Sequence, residues 1–123
     1  MNTSQLLKTI LIQGGITVKP NLTPYQGQGY AVAVAKRFER IIDLSGDAGH
    51  LQGTFNQALT ELRFAAASRG AYIGAWIDQG KLYLDLSEVV ESRTKAIELG
   101  LKRGQLGVYS FQAMETIDLR RVG

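Results

Sequence analysis

Residues 71–90 read AYIGAWIDQGKLYLDLSEVV, and the rest of the chain is arranged around them. Two runs rich in β-branched, aromatic and leucine residues flank Asp78-Gln79-Gly80, which predicts a β-hairpin. Gly80 is free to take the left-handed conformation that closes a three-residue loop. Pairing Ile77 with Lys81 then sets Trp76 opposite Leu82, Gly74 opposite Leu84 and Tyr72 opposite Leu86. That register gathers one almost wholly apolar face, as a strand pair needs in order to pack on helices. Trp76, Tyr72 and the three leucines read as the centre of the core. Ile73, Ala75, Tyr83 and Asp85 make the opposite, mixed face.

Working outward, Thr3 and Ser4 are positioned to cap a short helix with Leu6, Leu7, Ile10 and Leu11 as its apolar stripe. Gly14-Gly15 ends it and Ile16-Thr17-Val18 opens a strand. Pro20–Gly29 is turn and loop chemistry. Tyr30–Ala35 alternates as a strand with a small alanine face. Lys36–Ile42 fits either a continued strand or a bend. Asp43–Gly53 reads as a flexible loop. Thr54, with Gln57 three residues on, forms a capping box for a helix buried through Phe55, Ala58, Leu59, Leu62, Ala65 and Ala66. Gly70 stops that helix. Beyond the hairpin, Ser92 caps another, with Ala96, Ile97, Gly100 and Leu101 inward and Gly104 as its stop. Leu106–Phe111 then pairs with Met114–Leu119. The expected fold is a single α+β domain over residues 1–123. It has an antiparallel or mixed sheet with two to three helices on one face, in the order α-β-β-α-β-β-α-β-β. Arg69–Trp76 and Arg103–Tyr109 share a helix, an Arg-Gly stop and a strand; a duplicated unit and two unrelated helix stops both account for this.

At 123 residues with 45% hydrophobic and 20% charged content, the chain is long enough to bury a core without disulfides or metal. It has no cysteine, which excludes a disulfide scaffold, a thiol nucleophile and thiolate-bound zinc, and fits a reducing cytoplasm. No apolar run approaches the roughly 20 residues needed to span a bilayer. The N-terminal MNTSQLLKTILIQGG lacks a small-residue cleavage site. A soluble cytoplasmic protein is the expectation. The net charge of +3, from 14 basic and 11 acidic residues, favours polyanions only slightly.

His50 is the only histidine, so histidine-pair metal sites and proton relays are unavailable. The glycines of Gly46–Thr54 match neither standard phosphate-loop spacing, no lysine follows them, and Asp47 would repel an anion. Among Asp78, Asp85, Glu88 and Glu91, the first has a turn role and the last two favour a helix start. Asp85, mid-strand, is left unexplained, and paired carboxylates are a chemistry for acid–base work or magnesium. No metal or cofactor is expected.

The basic residues are more suggestive. Arg69, Lys102 and Arg103 sit at helix C-termini, Arg120-Arg121 lie near the chain end, and Lys36-Arg37 and Arg40 follow the alanine strand. Arginine forks suit phosphate, and Tyr72, Trp76, Tyr83 and Tyr109 offer flat faces for a base. The candidate ligand-binding residues are Arg69, Arg103, Arg120, Arg121, Tyr83 and Asp85. The partner could be a nucleotide-derived small molecule or a nucleic-acid strand.

Gly14–Val18, Gly29-Tyr30-Ala31-Val32, Gly74–Ser87 and Ala96–Tyr109 (AIELGLKRGQLGVY) together resemble small accessory proteins of phages and mobile elements. Within that group the pattern is similar to Thoeris anti-defence proteins, which bind a host cyclic ADP-ribose signal, and sometimes cyclic oligonucleotides, without cleaving it. The resemblance rests on glycines, turns and aromatics, and it transfers no site residue. It implies a non-enzymatic protein that sequesters a nucleotide-derived signal and blunts host immune signalling. Such sites often form between copies, and the exposed edges of a small sheet favour a homo-oligomer. The rival reading is a nucleic-acid- or protein-binding regulator using its basic surface. An enzyme is the third.

Overall fold

The structure, a computed structural model, describes residues 1–121. Its helices are α1 (Thr3–Gln13), α2 (Ala48–Arg69) and α3 (Arg93–Lys102). The strands are β1 (Gly15–Val18), β2 (Tyr30–Ala33), β3 (Arg40–Asp43), β4 (Tyr72–Asp78), β5 (Lys81–Val90), β6 (Gly107–Ser110) and β7 (Glu115–Asp118). All seven join one antiparallel sheet in the order β1-β4-β5-β2-β6-β7, with β3 also paired to β5. The fold class is α+β, as expected, and β4–β5 is the hairpin at its centre.

The hairpin register differs from the expected one by a single residue. Asp78 pairs with Lys81, so the turn is Gln79-Gly80 alone, with φ of 51° and 76°. A two-residue turn with both central residues left-handed twists in the same sense as the strands it joins; this favours it over the looser three-residue loop. Because side chains alternate, the slip turns every residue of one strand over relative to the other. Ile73, Ala75, Leu82, Leu84 and Leu86 are the buried apolar face, with Ile77 packed against it. Tyr72, Gly74 and Trp76 share the other face with Tyr83, Asp85 and Ser87. Trp76 and Tyr72 are half-buried there and are not the centre of the core.

All three helices cover the apolar face. Leu6, Leu7 and Ile10 of α1 and Phe55, Ala58, Leu59, Leu62 and Ala66 of α2 close over β4 and β5. Each leucine, isoleucine or phenylalanine among them, fully buried, contributes about 1.5–3 kcal/mol. A second cluster joins Ala96 of α3 to Val32, Val108 and Leu119. Gly100 of α3 permits that approach, since a Cβ there would stand 2.5 Å from Leu119 and 2.9 Å from Val108. Leu11 and Leu101, expected inward, are 45% and 48% exposed.

The helix starts need two corrections. Asn2, reciprocally bonded with Gln5, caps α1 in place of Thr3 or Ser4. The Asp47 carboxylate accepts the His50 backbone N–H and starts α2 at Ala48, so Thr54 lies inside the helix and caps nothing. Gly49 and Gly53 weaken the local helix signal, but burial of the Phe55 stripe carries the helix through them. Ser92 does cap α3.

Lys36–Ile42, compatible in sequence with strand or bend, contains both. A 3₁₀ turn at Lys36–Phe38 interrupts the edge between β2 and β3. The ten-residue β5 serves both pieces, pairing Ser87–Val90 with β2 and Lys81–Leu84 with β3. Asp85 and Leu86 fall between the two ladders. The sheet also curls. Arg120, just past β7, reaches Asp78 of β4 at 3.7 Å. Four strand spacings separate β4 from β7 in sheet order, about 19 Å if the sheet were flat.

Candidate functional site

The face turned away from the helices is concave, and a cavity of about 250 Å³ opens in it. Its walls come from β1, β2, β4, β5, β6 and β7. The floor is set by strand alternation. Thr17 of β1 lies across from Gly74 of β4, which lies across from Asp85 of β5. Ser87 follows two residues along the same face. Thr17, Asp85 and Ser87 are buried at 7%, 7% and 3% exposure, three of the four buried polar residues among the described ones.

Gly74 makes room for this floor. A Cβ there would stand 2.6 Å from Asp85 Oδ1 and 2.9 Å from Ser87 Oγ. The Ser87 hydroxyl donates to Asp85 Oδ1 at 2.7 Å. Burial penalises the carboxylate and pushes the Asp85 pKa up to about 7; the Ser87 hydrogen bond pulls the other way, the Glu39 charge pushes further up, and the Trp76 indole weakly favours ionisation. A buried carboxyl that titrates near neutrality in a cavity marks a functional-site candidate on physical grounds.

Trp76 supplies an aromatic wall and stacks on Tyr83, its cross-strand partner, with centroids 4.6 Å apart and planes 19° from parallel. Tyr109 lines the opposite side with Thr116 and Met114. Asp85 and Glu115 are the charged residues of the lining, which includes no lysine, arginine or histidine. Among the described residues, no cluster of three or more His, Cys, Asp or Glu side chains is placed to hold a metal ion. No helix of the described residues is long and apolar enough to cross a membrane.

Of the six candidate residues, Asp85 lines the cavity and Tyr83 backs its aromatic wall. The arginines are spread elsewhere. Arg120 grips Asp118 with two bonds of 2.9 and 3.0 Å, and its charge lies within electrostatic reach of Tyr83. Arg121 is 3.9 Å from the same carboxylate. Arg103 donates to the Ala33 carbonyl at 3.1 Å and to Glu88 at 3.0 Å, tying the end of α3 to β2 and β5. Arg69 lies 4.8 Å over the Phe38 ring, which Arg37 also covers at 4.7 Å. Sequence reasoning missed Thr17, Gly74 and Ser87, and it offered Trp76 as a flat face for a base while placing it at the centre of the core. Its available signal was Asp-x-Ser inside an apolar strand, which sets two short polar groups on one face.

No family model matches the chain, and no curated protein or solved structure matches it.

Proposed function

We propose that the protein binds and holds a small nucleotide-derived molecule, of the cyclic ADP-ribose or cyclic-oligonucleotide type, without altering it. Its role would be that of a phage-type accessory protein that blunts host immune signalling. The observation that carries the binding reading is the cavity on the helix-free face, with the buried Asp85–Ser87 pair in its floor and the Trp76–Tyr83 stack beside it. The signalling role is supported by the sequence resemblance alone. Drug-sized ligand pockets begin at roughly 300 Å³, so a cavity of about 250 Å³ takes one ring system and leaves the remainder of a larger ligand at the rim.

The test is to incubate the protein with cyclic ADP-ribose isomers and cyclic oligonucleotides, record thermal shifts, and then heat-denature it and analyse what is released. A stabilised protein that releases intact ligand supports the reading. No shift with any of these compounds, or release of a cleaved product, overturns it. Light scattering on free and loaded protein checks the proposed homo-oligomer.

One observation favours a nucleic-acid partner as the second reading. Arg37 and Arg69 both lie over Phe38, a cationic and aromatic surface of the kind that meets a phosphate strand and its bases. A mobility shift whose affinity falls steeply with salt, and that Arg37→Ala weakens, would support it; an absent or salt-insensitive shift would remove it.

A further inference from the structure

We infer that the cavity recognises the amino-heterocycle end of its ligand, through the Asp85 carboxyl and the Ser87 hydroxyl, and leaves phosphate outside; this rests on the small-molecule reading above. Charge is the first argument. The lining carries Asp85 and Glu115 and no basic side chain, so an inserted phosphate would meet carboxylates and no cation. Arg120 and Arg121, just past β7, are engaged with Asp118 outside the lining.

Shape is the second argument. Gly15, Gly74 and Gly107 line the cavity, and at each a Cβ would come within 2.8, 2.6 and 2.7 Å of a neighbouring atom. Side chains are thus missing where strands of the concave face come closest together. The space left is bordered by Trp76 and Tyr109, whose ring faces suit a flat heterocycle.

Hydrogen-bond chemistry narrows the class. The Ser87 proton is used on Asp85 Oδ1, so the hydroxyl oxygen keeps acceptor capacity and the carboxyl keeps its second oxygen. Protonated, a carboxyl offers one donor beside one acceptor. That is the complement of a ring nitrogen next to an exocyclic amine, as in adenine or cytosine. Ionised, it accepts from the same amine and pairs with the protonated ring. A uracil-type ring also fits a protonated carboxyl, through its N–H and carbonyl, but it has no second N–H for the Ser87 oxygen to accept, and the exocyclic amine supplies one. The other titratable groups around Asp85 are Glu39 from the β3 side, Glu115 and Tyr109 in the lining, and Tyr83 along β5; none contributes a positive charge that would reverse the preference.

Isothermal titration of the full chain with adenosine, cytidine, uridine, AMP and inorganic phosphate tests this. The expected result is that adenosine or cytidine binds at least tenfold tighter than uridine, that AMP is no tighter than adenosine, and that inorganic phosphate does not compete. Asp85→Asn keeps a paired donor and acceptor and should stay within a few-fold of the parent, whereas Asp85→Val should lose at least tenfold while remaining folded by thermal melt. AMP tenfold tighter than adenosine, competition by phosphate, equal binding of uridine, or full affinity in Asp85→Val each overturns the inference while leaving the small-molecule reading in place. Absence of binding by every compound here and by the cyclic nucleotides overturns both.

Discussion

Replacing Asp85 by asparagine should stabilise the protein at alkaline pH and leave it nearly unchanged in acid. In the folded chain the carboxyl titrates near 7, against an ordinary value of 3.8 when the chain is unfolded and the group is hydrated. Between these two values the folded protein holds a proton that the unfolded chain has lost. The contribution of this group to stability is therefore complete below about pH 4, falls as the pH rises to about 7, and is constant beyond. A separation of about three pKa units is worth about 4 kcal/mol in all. Asparagine keeps the shape and an oxygen for the Ser87 hydroxyl, at present 2.7 Å from Oδ1, and it cannot ionise. Urea unfolding of both proteins from pH 4 to pH 8 reads the effect, and subtracting one curve from the other cancels every other titration. The gap should open with pH and reach about 4 kcal/mol in favour of Asp85→Asn, or roughly 10–20 °C in Tm. A gap that stays constant across this range would refute the reasoning, because it would mean that the carboxyl is hydrated in the folded state.

Three further outcomes follow from the geometry. Gly74→Ala places a methyl 2.6 Å from Asp85 Oδ1 and 2.9 Å from Ser87 Oγ, so it should cost about 1–3 kcal/mol in chemical denaturation and weaken ligand binding in the cavity. Gln79→Asn, at a turn position with φ of 51°, should raise stability by about 0.5 kcal/mol, since asparagine tolerates the left-handed region better; a drop in the urea midpoint would contradict the two-residue turn. Arg103→Ala removes the bonds to Ala33 and Glu88 and should destabilise by about 1–2 kcal/mol while leaving ligand affinity unchanged, which titration of the variant would show.

Most of the fold was legible because its signals are local. Gly14, Gly70 and Gly104 end their helices with positive φ, Ser92 caps α3, and the Phe55–Ala66 stripe is buried as its spacing requires. The errors share a physical origin in choices made by packing. A Gln-Gly turn and an Asp-Gln-Gly loop are both chemically reasonable, and the choice between them falls to which faces the helices cover. The same choice decides whether Asp85 faces Ile73 or Gly74, and hence whether it looks like a stray charge or the floor of a cavity. The site could not be assembled from spacing alone: Thr17, Gly74, Asp85 and Tyr109 meet only through the curl of the sheet. The arginines, prominent in the sequence, turn out to face four different neighbours: Phe38, Glu88, Asp118 and Asp78.

The strand order also bears on how this chain must assemble in time. Only β4–β5 and β6–β7 join neighbours in sequence. Gly15 waits for Trp76, and Ala31 for Tyr109, so the two flanks of the sheet close over roughly half and roughly two-thirds of the chain's length. Loop closure on that scale precedes any reward from pairing, which slows folding relative to a chain of mostly local contacts. The central hairpin is the natural nucleus. Until the N-terminal residues return to β4, the edge on which they pair stays open to other chains, so a cell making this protein in quantity would meet aggregation first through that unpaired strand.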